Sequence, residues 1–234
     1  MTVQSNLSAR DRAAFYKSHR EHEGTTFKKK HRRQFDHEFR DLTGADPAMS
    51  VLEIGCGTGL LLRYLEACGY ARIAGLDRDE NLLDALSDLN RSEIHIGDAA
   101  TVLNEKFAGQ RFDRIVMFDV AEHIDLPDLI ELLKALRGFL SDDGKLLLRV
   151  PNIESPWGLK MFFGTFDHVT PLGPGRLREL AQLTGWKCVS VSPQEPVPTL
   201  RRWRERLLNR LLAAMLSYHP EAWTANVLAV YVKD

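Results

Sequence analysis

The chain has 234 residues, 31 Lys and Arg against 32 Asp and Glu, a formal net charge of -1 at pH 7, and 44% hydrophobic and 27% charged residues. That is the make-up of a globular protein of one domain, or of one domain with a small appendage. No uninterrupted apolar run exceeds six residues, far short of the roughly 20 that span a bilayer. The first fifteen residues include Arg10, Asp11 and Arg12, so no signal peptide is expected. Three scattered cysteines, Cys56, Cys68 and Cys188, argue against a disulfide framework or a structural zinc site and for a reducing cytoplasm. Charge is uneven: residues 1–44 sum to +4 and 195–234 to +2, leaving -7 between them. An acidic body with basic ends speaks against a broad nucleic-acid platform.

In chain order, residues 10–43 read as helical, marked by Phe15, Phe27, Phe35, Phe39 and Leu42, and Asp46-Pro47 ends them. A regular alternation begins there. Strands are predicted at Ser50–Ile54, Arg72–Leu76, Glu93–Ile96, Asp113–Phe118 and Lys145–Val150. Helices are predicted between them at Leu60–Cys68, Asp79–Asn90, Thr101–Phe107 and Leu126–Leu140. This spacing predicts parallel βαβ units and a sheet covered on both faces. Residues 151–175, rich in Pro and Gly and carrying Trp157, Phe162, Phe163 and Phe166, interrupt the pattern as a long, aromatic loop of the functional kind. A helix at Gly175–Thr184, a strand at Trp186–Ser192 and a linker at Pro193–Pro198 come next. A basic amphipathic helix at 200–217 and a final strand at Asn226–Val232 complete the chain, the strand in an edge or hairpin position. The chain thus divides into an N-terminal helical lid, 1–44, and one α/β domain, 45–234. The second carries the loop insertion 151–175 and the helix 200–217.

The strongest local signal is Val51-Leu52-Glu53-Ile54-Gly55-Cys56-Gly57-Thr58-Gly59-Leu60. A strand runs into a glycine turn that opens a helix, at the carboxyl end of the first sheet strand, where such folds bind ligands. Asp77 stands 22 residues after Gly55, at the place of an acidic residue that holds ribose hydroxyls. The dinucleotide pattern GxGxxG is broken by Leu60. Glu53, two residues before the first Gly, would repel a pyrophosphate and suits a ligand with a cationic end. S-adenosylmethionine, which carries an ammonium and a sulfonium, fits that charge logic. Asp98, in Ile96-Gly97-Asp98-Ala99, is placed to accept from an adenine amino group. Phe112-Asp113-Arg114-Ile115-Val116-Met117-Phe118-Asp119-Val120-Ala121-Glu122-His123-Ile124 delivers Phe118, Asp119, Glu122 and His123 to the same end of the sheet.

The series VLEIGCGTG, GLD, GDA, FDRIVMFDVAEHI and GKLLLRVPN closely resembles class I S-adenosylmethionine-dependent methyltransferases. Within them it resembles the ubiquinone-type O-methyltransferases, over roughly residues 48–192 and the closing strand. The resemblance implies a Rossmann-like, mostly parallel seven-stranded sheet with an antiparallel last strand. It implies Gly55, Gly57 and Gly59 around the methionine portion, Asp77 on the ribose, and Asp98 with Ala99 at the adenine. Phe118 and Asp119 would line the reactive side; Arg78 either covers an adenine face or is an exposed cation. Asp142-Asp143-Gly144 replaces the commoner Pro-Gly-Gly turn.

Two histidines are candidates for the base that a hydroxyl acceptor needs, His123 beyond the fourth strand and His168 in the long loop. Local capping by Glu122 and His123, and a surface position for His168, are the competing readings. Arg149 and Arg176 are candidate charge partners for an anionic acceptor, or ordinary solvated cations. Pro151-Asn152-Ile153-Glu154-Ser155-Pro156 followed by Gly164, His168 and Thr170 resembles methyltransferases of bacterial surface-polysaccharide pathways. That implies a sugar or glycan acceptor; a quinone-like or aromatic acceptor, and a non-catalytic cofactor-binding protein, are the alternatives. No metal is expected. The Lys28–Arg33 basic run reads as a solvated helix face or an anion cover, and Tyr16 and Lys17 as part of a lid. Residues 200–217 read either as an interfacial helix at an anionic membrane or as a lid or dimer helix, leaving a monomer or homodimer open.

Overall fold

The computed structural model describes residues 26–195 and 199–234; Tyr16, Lys17 and the start of the expected N-terminal helix lie outside them. The sheet strands are β1 (Ser50–Ile54), β2 (Arg72–Asp77), β3 (Ser92–Ile96), β4 (Phe112–Phe118), β5 (Leu140–Pro151), β6 (Trp186–Pro193) and β7 (Asn226–Lys233). Their order is β3-β2-β1-β4-β5-β7-β6. Strands β1 to β5 pair in parallel, and β7 is antiparallel to both its neighbours. The expected final strand is therefore antiparallel and follows β6 in hairpin sense, yet it lies inside the sheet; β6 takes the edge.

Period-two alternation sends successive strand residues to opposite faces, and both faces are apolar. One core holds Leu52 and Ile54, Ile115 and Met117, Leu146, Leu148 and Val150, and Ala229 and Tyr231. It is covered by α4 (Ala99–Lys106), α5 (Leu126–Phe139) and α7 (Pro174–Leu183). The other holds Val51, Val116, Phe118, Leu147, Leu228 and Val230. It is covered by α2 (Leu60–Ala67) and by α1 (Lys29–Phe35) with its π-helical continuation Asp36–Asp41. Phe35 stacks on Phe118 with ring centroids 6.2 Å apart, and Phe39 packs edge-on to Tyr64. The first helix thus roofs the end of β4, while Lys28, Lys29, Lys30, Arg32 and Arg33 face solvent. The expected helix after β2 shrinks to a 3-10 turn, Glu80–Leu82, and one α-turn, α3 (Leu83–Leu86).

The long loop contains a helix that periodicity did not reveal, α6 (Pro156–Phe162). Its signal is local: Ser155 caps it by accepting from Gly158 N, and Pro156 occupies the first turn. Asn152 Nδ2 donates to Ala222 O at 2.8 Å and Ser155 Oγ to Thr224 O at 2.9 Å. The Pro-Asn-x-x-Ser-Pro stretch therefore ties the loop to the segment leading into β7. A Cβ at Gly158 would meet the backbone oxygens of Asn152 and, at 2.7 Å, of Ala225. Gly158→Ala is expected to lose about 1–3 kcal/mol, which thermal unfolding will read as a fall of roughly 2–4 °C per kcal/mol.

Candidate functional site

The three glycines of the turn all have positive φ, 71° at Gly55, 51° at Gly57 and 75° at Gly59, a region open to glycine without a Cβ penalty. At Gly55 the demand is also one of space, because a Cβ would run into the Val120 side chain. The turn is stapled to the end of β2. Gly55 N and Cys56 N donate to Leu76 O at 2.7 and 3.1 Å, and Gly57 N donates to Asp77 Oδ2 at 2.9 Å. Asp77 Oδ1 accepts from Asp79 N at 3.1 Å. Each carboxylate oxygen is thus aimed by a backbone N–H. Gly59 then opens α2 from a left-handed cap position.

Glu53 is 4% exposed, and its Oε2 has no hydrogen-bond partner among the described residues. Burial, with Asp77 nearby, pushes its carboxyl well above the ordinary range, against the pull of Arg149. An orphaned buried carboxyl beside the glycine turn is a ready partner for a cationic group and a poor neighbour for a phosphate. This fits the ammonium end of S-adenosylmethionine. Asp98 caps α4, its Oδ1 accepting from Thr101 N at 3.0 Å. Ala99 packs against the first core, and Arg78 is exposed beyond β2. All three stand on the rim formed by the carboxyl ends of β2 and β3.

At the end of β4, Phe118 is buried and Asp119 has φ 57°, the one non-glycine residue with positive φ among those described. That conformation costs on the order of 1–3 kcal/mol and persists only where its surroundings enforce it. The enforcing group is Arg149. Its backbone O accepts from Asp119 N at 2.9 Å, its Nη2 lies 2.5 Å from Asp119 Oδ2, and its Nη1 reaches Glu38 Oε2 at 2.9 Å. The guanidinium also sits 4.3 Å from the centre of the Phe118 ring. Arg149 is consequently not a solvated cation but a largely covered clasp between the sheet and the first helical segment. Glu38, which sequence reasoning missed, is its other end, and Gln194 Nε2 holds that carboxylate's second oxygen at 2.8 Å. Arg176, in contrast, is exposed and donates to Pro171 O.

The two candidate histidines converge. Their ring centroids are 4.6 Å apart, edge to face. His123 Nδ1 is 3.2 Å from Asp167 Oδ2, off the line of a good hydrogen bond. Thr165 Oγ1 donates to the same carboxylate. Burial works to raise the Asp167 carboxyl, but His123 and Thr165 outweigh it and hold it below the usual range. His168 Nδ1 lies 3.1 Å from Phe162 O; donation to that carbonyl leaves Nε2 as the acceptor. Burial first, and His123 second, push the His168 pKa down.

Glu122 completes the cluster. It is 1% exposed, neither carboxylate oxygen has a partner among the described residues, and burial and Asp119 push its carboxyl well up. Its side chain therefore does not cap the turn; only its backbone O is used, accepting from Val169 N and Thr170 N. One donor atom each from Glu122, His123 and His168 lies within 4.8 Å of the others. Buried, unpaired and titratable groups of this kind concentrate at active sites. In the sequence Glu122 is placed at the carboxyl end of β4 and reads as a possible cap, with no chemical role.

The model of a family described as "Methyltransferase domain" matches residues 22–191. Over 121 residues the chain is 30% identical to the ubiquinone biosynthesis O-methyltransferase of Bradyrhizobium diazoefficiens, covering 51% of this chain and 46% of that protein. It is 28% identical over 141 residues to the mitochondrial ubiquinone biosynthesis O-methyltransferase of Candida albicans, covering 58% and 42%. The matched stretch thus spans less than half the length of either relative. Among solved structures, a SAM-dependent methyltransferase from Archaeoglobus fulgidus superposes with a TM-score of 0.65 at 19% identity, covering 86% of this chain and 94% of that one. The glycopeptide N-methyltransferase MtfA, complexed with sinefungin, superposes with a TM-score of 0.59 at 16% identity, over 86% and 94%. With its seven-stranded sheet, its glycine turn stapled to Asp77 and a domain match over most of its length, this chain belongs to the class I S-adenosylmethionine-dependent methyltransferases.

Proposed function

We propose that this protein methylates a hydroxyl oxygen of a small phenolic, quinol-like acceptor, with His168 taking the proton. The observation that carries this reading is the convergence of His168, His123 and Glu122 next to the glycine turn, with His168 held neutral near physiological pH. When bound, S-adenosylmethionine supplies a methyl group on a sulfonium, already a good leaving group. The chain's task is to align the acceptor at about 3–3.5 Å from that carbon and to remove its proton. His168 Nε2 would accept the hydroxyl proton as the acceptor oxygen takes the methyl group that bound S-adenosylmethionine would supply. His123, oriented by Asp167, stands beside the imidazolium so formed, and the Asp167 charge offsets it.

A phenolic hydroxyl yields its proton to an imidazole far more readily than a sugar hydroxyl does. The sugar reading rests on the Pro-Asn-x-x-Ser-Pro stretch followed by Gly164, His168 and Thr170; in the first of these, Asn152 and Ser155 are committed to backbone oxygens before β7, and Thr170 Oγ1 donates to Ile124 O. The relatives named for O-methylation in ubiquinone biosynthesis also support a quinol-like acceptor. The test is incubation with S-adenosylmethionine and matched panels of catechols and sugars, reading S-adenosylhomocysteine and a product one methylene heavier. Turnover with catechols is expected. Turnover with sugars alone overturns the acceptor class, and methyl transfer to amines alone overturns oxygen chemistry. Turnover is also expected to survive EDTA; inhibition reversed by added Mg2+ would reassign the Glu122 cluster to a cation.

Cofactor recognition has its own prediction. In Asp77→Asn one oxygen acceptor is lost and the remaining bonds are no longer charge-assisted. Affinity for S-adenosylhomocysteine is expected to fall by about tenfold, the equivalent of roughly 1.4 kcal/mol. Titration calorimetry reads it directly, with NAD as the ligand expected not to bind.

A further inference from the structure

Helix α8 (Thr199–Met215) is attached to the body by its less apolar side. Arg202, Glu205, Asn209, Leu212 and Ala213 are partly covered. Glu195, just beyond β6, grips Arg206 at 2.6 and 2.7 Å and Arg202 at 3.3 Å. The opposite side carries the apolar stripe, and it points away from the protein: Leu200 is 71% exposed, Trp203 62%, Leu208 55%, Leu211 54% and Met215 80%. An amphipathic helix on a globular surface ordinarily turns that stripe inward; here none of the described residues covers it. Five arginines and a single glutamate occupy residues 199–215. A groove of about 680 Å³ along the helix is lined by Leu200, Arg201, Arg204, Glu205 and Leu208, and there Arg201 pairs with Glu205 at 2.8 Å, leaving Arg204 as its unpaired cation among the described residues.

The place of this helix in the fold matters. β6 ends at Pro193, paired with Val227, and β5 ends at Pro151, paired with Asn226. Helix α8 and the loop of α6 therefore leave the sheet from the same rim that carries the glycine turn and the histidines. That loop adds Trp157 and Phe163, 61% and 76% exposed.

We infer that α8 lies in the interface of an anionic phospholipid bilayer and seats the open rim of the site against it. Charge complementarity selects this occupant. A second copy docked through the same stripe would set two helices of net charge +4 face to face, a like-charge arrangement. An anionic leaflet instead pairs the flanking arginines with phosphates while the leucines and Trp203 enter the acyl boundary. This inference does not depend on the acceptor or the base, because it is read without cofactor or turnover.

The test uses the full chain with vesicles of phosphatidylcholine, with and without phosphatidylglycerol. Co-sedimentation with the anionic vesicles is expected, weakened at least about tenfold on phosphatidylcholine alone, since each arginine near the surface contributes on the order of 1 kcal/mol. The pair Leu207→Gln and Leu211→Gln is expected to abolish sedimentation with unchanged affinity for S-adenosylhomocysteine, because both side chains lie outside the two cores of the sheet and about half of each is exposed. Arg204→Glu with Arg210→Glu is expected to remove the preference for anionic lipid. Wild-type protein left in the supernatant overturns the inference. So does a concentration-dependent dimer that the Leu207/Leu211 pair disperses while vesicles bind neither form, which would assign the stripe to a second copy. Equal binding of wild type and both variants overturns it as well.

Discussion

Replacing His168 by Asn is expected to lower kcat by about 10²–10⁴-fold, the usual contribution of a positioned general base, with thermal stability and S-adenosylhomocysteine affinity nearly unchanged. The pH profile distinguishes this from a packing effect. The neutral imidazole is the active form, so the rate falls as pH drops through its pKa. Burial and the adjacent His123 push that pKa down, so the acid limb of kcat is expected below the ordinary histidine value of about 6.5. In His123→Asn one of the two depressing influences is gone; the limb is expected to move to higher pH while a plateau of activity remains. An unchanged plateau and limb in His168→Asn, with the plateau lost in His123→Asn, would transfer the role to His123.

Arg149→Met is expected to cost about 3 kcal/mol, the lower end of the range for removing one partner of a buried ion pair. The cost stays at that end for two reasons: Gln194 still donates to Glu38, and Asp119 is half exposed and regains water. At roughly 2–4 °C per kcal/mol for a chain of this size, thermal unfolding is expected some 6–12 °C lower. The loss comes chiefly from Glu38, 2% exposed and left with an unpaired charge. Adding Glu38→Gln removes that charge and is expected to recover part of the loss, the non-additivity of two residues in contact. Strict additivity would show that the Glu38 contact adds nothing. Because the same guanidinium also holds Asp119 in its positive-φ conformation, Arg149→Met is further expected to weaken cofactor binding even below its melting point.

What the sequence alone determined is local and periodic. Apolar runs of strand length alternating with helical spacing required a parallel, two-faced sheet. Three glycines after a strand demanded a turn with positive φ. A carboxylate at the end of the next strand falls beside that turn because neighbouring parallel strands end on one rim. In these cases the signal and its structural consequence sit within one βαβ unit, and so the turn at Gly55, Gly57 and Gly59 and the carboxylate of Asp77 on the neighbouring strand end were legible. Contacts between distant segments were not. Glu38 and Arg149 are 111 residues apart, and an arginine in a strand reads the same whether it ends in water or in a buried clasp. Glu122, His123 and His168 gain their chemistry only when the 151–175 loop folds back onto the end of β4. β7 was readable as a strand, but its slot between β5 and β6 depends on which edge the completed sheet leaves open. For α8, the residue pattern defines an apolar side without saying which way it turns; the Glu195 clasp on Arg202 and Arg206 decides that, by tying the polar side down and leaving the leucines outward.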